Sequence, residues 1–202
     1  MVTRWSWLAA MCALAVAVTG CGPTTPTAGP GASTSASPTP SPSPTCTPYN
    51  ATPHPCSAED YGKTQQQNEL IAQAEATYRT YWDENVRLQR AGGTRKATEV
   101  LLNTLEGSAL KSVVENLQDL KTNKTRAVGG TFDILTITPK PTRTKEGSVT
   151  SLTVCWRAKD VAFSVDGVNI HRSVTVREES YFRYSEGVLR ISIFESQKVA
   201  KC

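Results

Sequence analysis

Cysteine is the residue type in this chain with the most chemistry available to it, and there are six. Cys12 sits inside an apolar N-terminal run, Cys21 closes that run, and Cys46, Cys56, Cys155 and Cys202 lie further on. The last four could hold zinc or form two disulfides. Zinc needs Cys-x-x-Cys pairs or histidines at short spacing, and neither occurs. An even number of thiols in an oxidising compartment suggests disulfides, for which four cysteines allow three connectivities. Cys46 and Cys56 bracket the turn-rich TPYNATPHP, so pairing them costs least entropy, and Cys155, in a strand-like run, is then left for Cys202. Chain-entropy arguments give these two loops about 2.8 and about 4.1 kcal/mol. The remaining candidates for chemistry are few. His54 lies in the TPYNATPHP loop and His171 begins a strand with no Cys, Asp or Glu beside it. No Ser-His-Asp set, metal cluster or Gly-rich phosphate loop can be assembled, so no catalytic residue, metal or cofactor is assigned. Asp133 and Asp160 are the carboxylates of the strand region, with Tyr78, Tyr81 and Tyr184 as candidate donors. A lone Asp on a strand is more often solvated or at an edge than catalytic.

Cys21 follows Val18-Thr19-Gly20 and a charge-free run over residues 5–19, with Arg4 ahead of it. This arrangement resembles the signal and lipobox of bacterial lipoproteins. The resemblance implies removal of residues 1–20 and lipid attachment at Cys21, outside the cytoplasmic membrane. An apolar run of this length is too short to span a bilayer, which takes about 20 residues. Two or more acyl chains would make the anchor stable, where one is marginal.

Removing residues 1–20 takes away one base, Arg4, and leaves 21 bases against 18 acids, a net charge of +3. That excess is too small to imply a nucleic-acid partner. Ten of the 12 prolines fall between Pro23 and Pro55, and residues 22–45 carry no charge, aromatic or large aliphatic side chain. Such a segment cannot bury enough apolar surface to offset chain entropy and is expected to be disordered. Extended as polyproline II it would reach about 75 Å, at about 3.1 Å per residue. Its serines and threonines are candidate O-glycosylation sites. The chain therefore divides into a signal (1–20), a lipidated Pro/Ser/Thr-rich linker (21–56) and a globular domain (57–202).

The elements that must position any site come after the linker. Ser57 is a candidate N-cap, with Glu59 and Asp60 in the first turn. Leu70, Ile71, Ala74, Tyr78, Tyr81, Trp82 and Leu88 then mark the apolar stripe of a long helix, stopped by Gly92-Gly93. A short helix fits 97–105, with Thr94 or Thr98 near its start. A third fits 109–120 behind Ser108, with Leu110, Val113, Val114, Leu117 and Leu120 on one face. After Gly129-Gly130 the period falls to two. Phe132 and Ile134 begin a strand that runs to the Pro139/Pro141 break. Leu152, Val154 and Trp156 share a face of the next, and a short run covers 161–165. Asp166-Gly167 and Glu186-Gly187 are turn signals between the last strands. Helices followed by antiparallel strands make an α+β domain.

This order, with the segment ATYRTYW at Ala76 to Trp82 and a cysteine in a strand, resembles the nuclear transport factor 2-like fold of actinobacterial extracytoplasmic lipoproteins. The domain ahead of the transpeptidase in some penicillin-binding proteins is similar. The resemblance covers about residues 65–202. It implies a curved antiparallel sheet wrapped around the helices to enclose a cone-shaped cavity, in a family that includes isomerases, dehydratases and proteins with no reaction. Tyr78, Tyr81, Trp82 and Trp156 are then candidates to line a pocket mouth or, since they follow the helical stripe, to pack helix against sheet. The basic stretches 121–126 and 140–145 read as solvated loops. The expected function is a lipid-anchored, noncatalytic binding or scaffold module of the cell envelope, whose partner is an envelope protein or a small apolar ligand. The alternatives are an isomerase- or dehydratase-like enzyme and an accessory subunit of a transport or wall-synthesis complex.

Overall fold

Ser57 starts the first helix as its side chain dictates. In the computed structural model, which describes residues 43–165 and 167–202, its Oγ accepts the Asp60 N–H at 3.1 Å and α1 runs over Ala58–Arg90. The signal, Cys21 and residues 22–42 of the linker lie outside the described residues, as does Asp166. Residues 43–56, expected as part of the disordered linker, are described and carry a hairpin. Ile71, Ala74, Tyr78, Tyr81, Trp82 and Leu88 are buried along one face of α1, at the three- and four-residue steps that a helix stripe requires. The helix ends at Gly92 and Gly93, whose φ angles are +80° and +77°. A Cβ on Gly93 would overlap the Leu117 carbonyl, so only glycine lets the third helix come this close.

Helix α2 (Glu99–Thr104) is shorter than its apolar spacing suggests and is capped by Thr98. The Thr98 hydroxyl donates to Glu84 Oε1 at 2.8 Å, and Glu84 also accepts two hydrogen bonds from Arg87. Helix α3 (Gly107–Thr122) starts ahead of Ser108, which is therefore not its cap. Contacts to the sheet set that start. The Glu106 N–H donates to the Ile191 carbonyl at 2.9 Å, and Arg183 donates to the Glu106 carboxylate at 2.5 Å. The Ser108 hydroxyl is used instead to reach the Ser192 carbonyl at 3.1 Å.

A two-stranded hairpin, β1 (Thr45–Cys46) and β2 (His54–Pro55), precedes the helices, and five further strands follow them. These are β3 (Arg126–Val128), β4 (Thr131–Pro139), β5 (Thr150–Val165), β6 (Val168–Ser185) and β7 (Val188–Val199). All pairings are antiparallel, in the order β3-β5-β6-β7 with β4 also on β5. Strands β3 and β4 share one edge of β5 and are separated by Gly129-Gly130. Opposite that gap β5 is bulged between Ala158 and Val161, with Asp160 at φ +54°. The bulge explains why the 161–165 run reads as a separate strand, although it continues β5. It breaks the two-residue period without ending the pairing, and it bends the sheet.

The fold is α+β. Leu152, Val154, Phe182, Leu189 and Ile191 of the sheet form one core with Tyr78, Trp82, Leu101, Leu105 and Leu117 of the helices. The cysteines close both ends of this unit. Cys46 pairs with Cys56 across the hairpin, Cα atoms 5.7 Å apart, and Cys155 with Cys202 at 6.1 Å. Strand β6 lies between β5 and β7, so the chain beyond Val199 must cross β6 to bring Cys202 to Cys155. The hairpin is also tied to α1. Tyr49 donates to Glu75, and Asn68 Nδ2 donates to the Thr47 carbonyl at 2.8 Å.

Candidate functional site

The inner face of β6 carries Arg172, Val174, Val176, Glu178, Ser180 and Phe182 at the two-residue period of a strand. Apolar residues are the rule on such a face, so Glu178 stands out. It is 6% exposed and has no cation paired with it among the described residues. Hydroxyl groups satisfy it instead. Tyr78 donates to Oε1 at 2.9 Å, Ser180 donates to the same oxygen at 3.3 Å, and Ser196 donates to Oε2 at 3.1 Å. Burial raises the Glu178 carboxyl above its ordinary value, and these three bonds oppose the shift by favouring the charged form. Trp156 also lies close enough to favour the charge, yet its buried indole N–H makes no hydrogen bond of normal geometry. Burial, with Glu178 next in effect, pushes the Tyr78 phenol well above its usual range, so it acts as a donor and not as a phenolate.

Glu178 borders a cavity of about 210 Å³ between the second half of α1 and the sheet. Tyr81 and Trp82 form its helix side and Trp156, Phe132, Phe163 and Val174 its sheet side, while Asn85, Gln89, Arg172 and Lys198 supply the other polar groups. Aromatic packing fixes the walls. The Trp82 and Trp156 rings are 5.1 Å apart at 52°, Tyr78 is stacked on Trp82 at 6.3 Å, and Tyr81 is tilted on Phe194 at 5.2 Å. Tyr78 is wholly core, with no exposed surface. Tyr81, Trp82 and Trp156 belong to the packing between helix and sheet and also line the cavity.

The other candidates lie elsewhere. Asp133 is half-exposed, takes a hydrogen bond from Thr131 at 2.8 Å and faces Arg157 at 3.7 Å. Asp160 is exposed at the β5 bulge beside Ser173. Neither borders the cavity. Tyr184 is exposed and bonded to Gln73, and both histidines are exposed. Among the described residues no group of three or more His, Cys, Asp or Glu is placed to hold a metal, and no helix is long and apolar enough to cross a membrane. A wider groove of about 420 Å³ runs between the hairpin and α1, lined by Pro48, Tyr49, Gln67, Asn68, Pro139 and Pro141 among others. It holds no buried charge, and the polar chemistry converges at Glu178 instead. The sequence offers only a partial signal for Glu178, since alternation places it on a face without saying what covers that face. This acid shares the register of Val174 and Val176. No family model matches the chain, and no curated protein matches it significantly.

Proposed function

We propose that this chain is an extracytoplasmic lipoprotein, anchored at Cys21, whose α+β domain binds a small ligand in a cone of nuclear transport factor 2-like form. The observation that carries the binding reading is the aromatic cavity with a hydrogen-bonded carboxylate at its wall. Small-molecule sites combine apolar walls with a few fixed polar groups in this way. The anchoring rests on the Val18-Thr19-Gly20-Cys21 run behind an apolar stretch, and the uncharged, Pro-rich residues 22–45 suit a spacer that holds the domain off a membrane. An envelope protein partner, with the linker supplying reach, is compatible with the same tether.

Filling the cavity tests the binding reading. Val174 is half-buried and borders it, so Val174→Phe should block small apolar probes while leaving the melting temperature nearly unchanged. Trp82→Ala removes a wall that is also core. It should both weaken probe binding and cost about 3 kcal/mol, the lower end for large-to-small changes in a packed interior. Probe binding that survives both substitutions would end the proposal.

A second reading, isomerase-like proton transfer, is favoured by the Tyr78–Glu178 pair. A carboxyl held above its ordinary value beside an apolar cavity is equipment for a general base. Of its four acceptor positions three are occupied by hydroxyls, which leaves one on Oε2. Proton exchange at the α-carbon of cyclohexanone, followed by NMR, should then occur with the wild type and vanish in Glu178→Gln. Equal exchange in both proteins rules the enzyme reading out.

A further inference from the structure

Two cations border the cavity, and neither forms an ion pair among the described residues. They are Arg172, on the Glu178 face of β6, and Lys198, opposite Val176 on β7. Among the described residues, eight of the 21 basic side chains from Lys63 to Lys201 face a carboxylate, Arg87, Arg143, Lys145, Arg157 and Arg183 among them, and 13 do not. What sets Arg172 and Lys198 apart is that they border the aromatic cavity. Glu178 is the one acid bordering the cavity, and three hydroxyl donors already satisfy most of its acceptor capacity. The six residues from Arg172 to Glu178 separate the two by about 20 Å along the strand. The cavity therefore has polarity. Glu178 and its hydroxyl donors stand at one end and Arg172 at the other, while Lys198, opposite Val176, lies between them, two residues from Glu178. Asn85 and Gln89 of α1 also line the cavity.

We propose, on the strength of the binding reading above, that the ligand is a small amphiphilic anion. A flat apolar body lies against Trp82, Trp156 and Val174, and a carboxylate or phosphate group is held between Arg172 and Lys198. The competing expectation from the same residues is an organic cation drawn to Glu178 and the aromatic rings. It is disfavoured because such a ligand would share the cavity with two cations that face no acid of their own, for one carboxylate whose charge is already spread over three donors. A charge-assisted bond to guanidinium or ammonium, by contrast, gives an anion a partner that the protein itself does not supply.

Three probes of one shape separate these outcomes in calorimetric titrations of the full chain: 3-phenylpropionate, 3-phenylpropan-1-ol and 3-phenylpropylamine. Trp82 and Trp156 both border the cavity, so a change in tryptophan emission reports binding at this site. The phenyl group that all three probes share does not absorb at the red edge where tryptophan is excited. The carboxylate should bind about tenfold tighter than the alcohol. In Arg172→Gln/Lys198→Gln that preference should vanish while the alcohol binds as before, and both positions are exposed enough for the fold to tolerate the change. Equal binding of the three probes, or tightest binding of the amine, overturns the anion assignment and leaves the pocket standing. If no probe binds or alters the emission, the binding reading falls together with it.

Discussion

At the scale of single residues, Glu178 is the most exacting position in the domain. A carboxylate at 6% exposure is costly unless it is hydrogen-bonded, and the chain commits Tyr78, Ser180 and Ser196 to that task. Its carboxyl lies above its ordinary 4.5, burial being the largest cause. The folded state therefore holds the proton more tightly than the unfolded one. Its contribution to stability is complete below about pH 4.5 and is lost as the pH rises through the raised folded value. Glutamine carries no such proton. The melting temperature of wild type minus that of Glu178→Gln should fall as the pH rises above about 4.5 and level off once the raised folded value has been passed. A difference that grows with pH would mean that the three donors outweigh burial. Glu84 and Glu195, both lowered by basic partners, are common to the two proteins and cancel.

At the scale of elements, close approaches and loop closures hold the domain together, and glycine separates the places where a side chain fits from those where it cannot. Gly62 lies in α1 with open space around it, so Gly62→Ala should stabilise by about 0.5–1 kcal/mol. Gly93→Ala meets the backbone of α3 at a positive φ and should cost at least about 2 kcal/mol. Chemical denaturation of the two variants beside wild type checks both signs. The disulfides differ in the same measurable way. Cys46 and Cys56 are separated by 10 residues and Cys155 and Cys202 by 47. Replacing the second pair by serine should cost more, about 4 against about 3 kcal/mol, because it frees more of the unfolded chain. Peptide mapping of the unreduced protein that recovers a Cys46–Cys155 link would refute the pairing itself.

At the scale of the whole molecule, the proposed tether makes one prediction independent of the cavity. Cys21→Ser should release the protein from membranes or leave an uncleaved precursor, and a fatty-acid analogue should label the wild type alone. Equal membrane association of both forms would remove the lipid anchor. The ligand-binding measurements should be unaffected by this change, since the cavity is built entirely from residues between Tyr81 and Lys198.

What the sequence determined by itself was local. The Ser57 cap, the stripe from Ile71 to Leu88 and the glycine stop were legible because a helix is specified by spacing within a few turns of chain. The inward register of β5 was legible in Leu152, Val154 and Trp156 for the same reason, and the two short-range turns were marked by Asp-Gly and Glu-Gly. The tertiary structure decided what depends on contacts between distant residues. Asp160 proved to be a bulge residue and Ser108 a sheet contact, because backbone pairing with β6 and docking of Glu106 on β7 outweigh local preference. Glu178 acquires its character from Tyr78, 100 residues earlier in the chain, and from Ser196 on the next strand. A strand alternates faces whatever lies against it, so an acid on the inward face reads as an exposed residue until the helix bringing its donors has been placed.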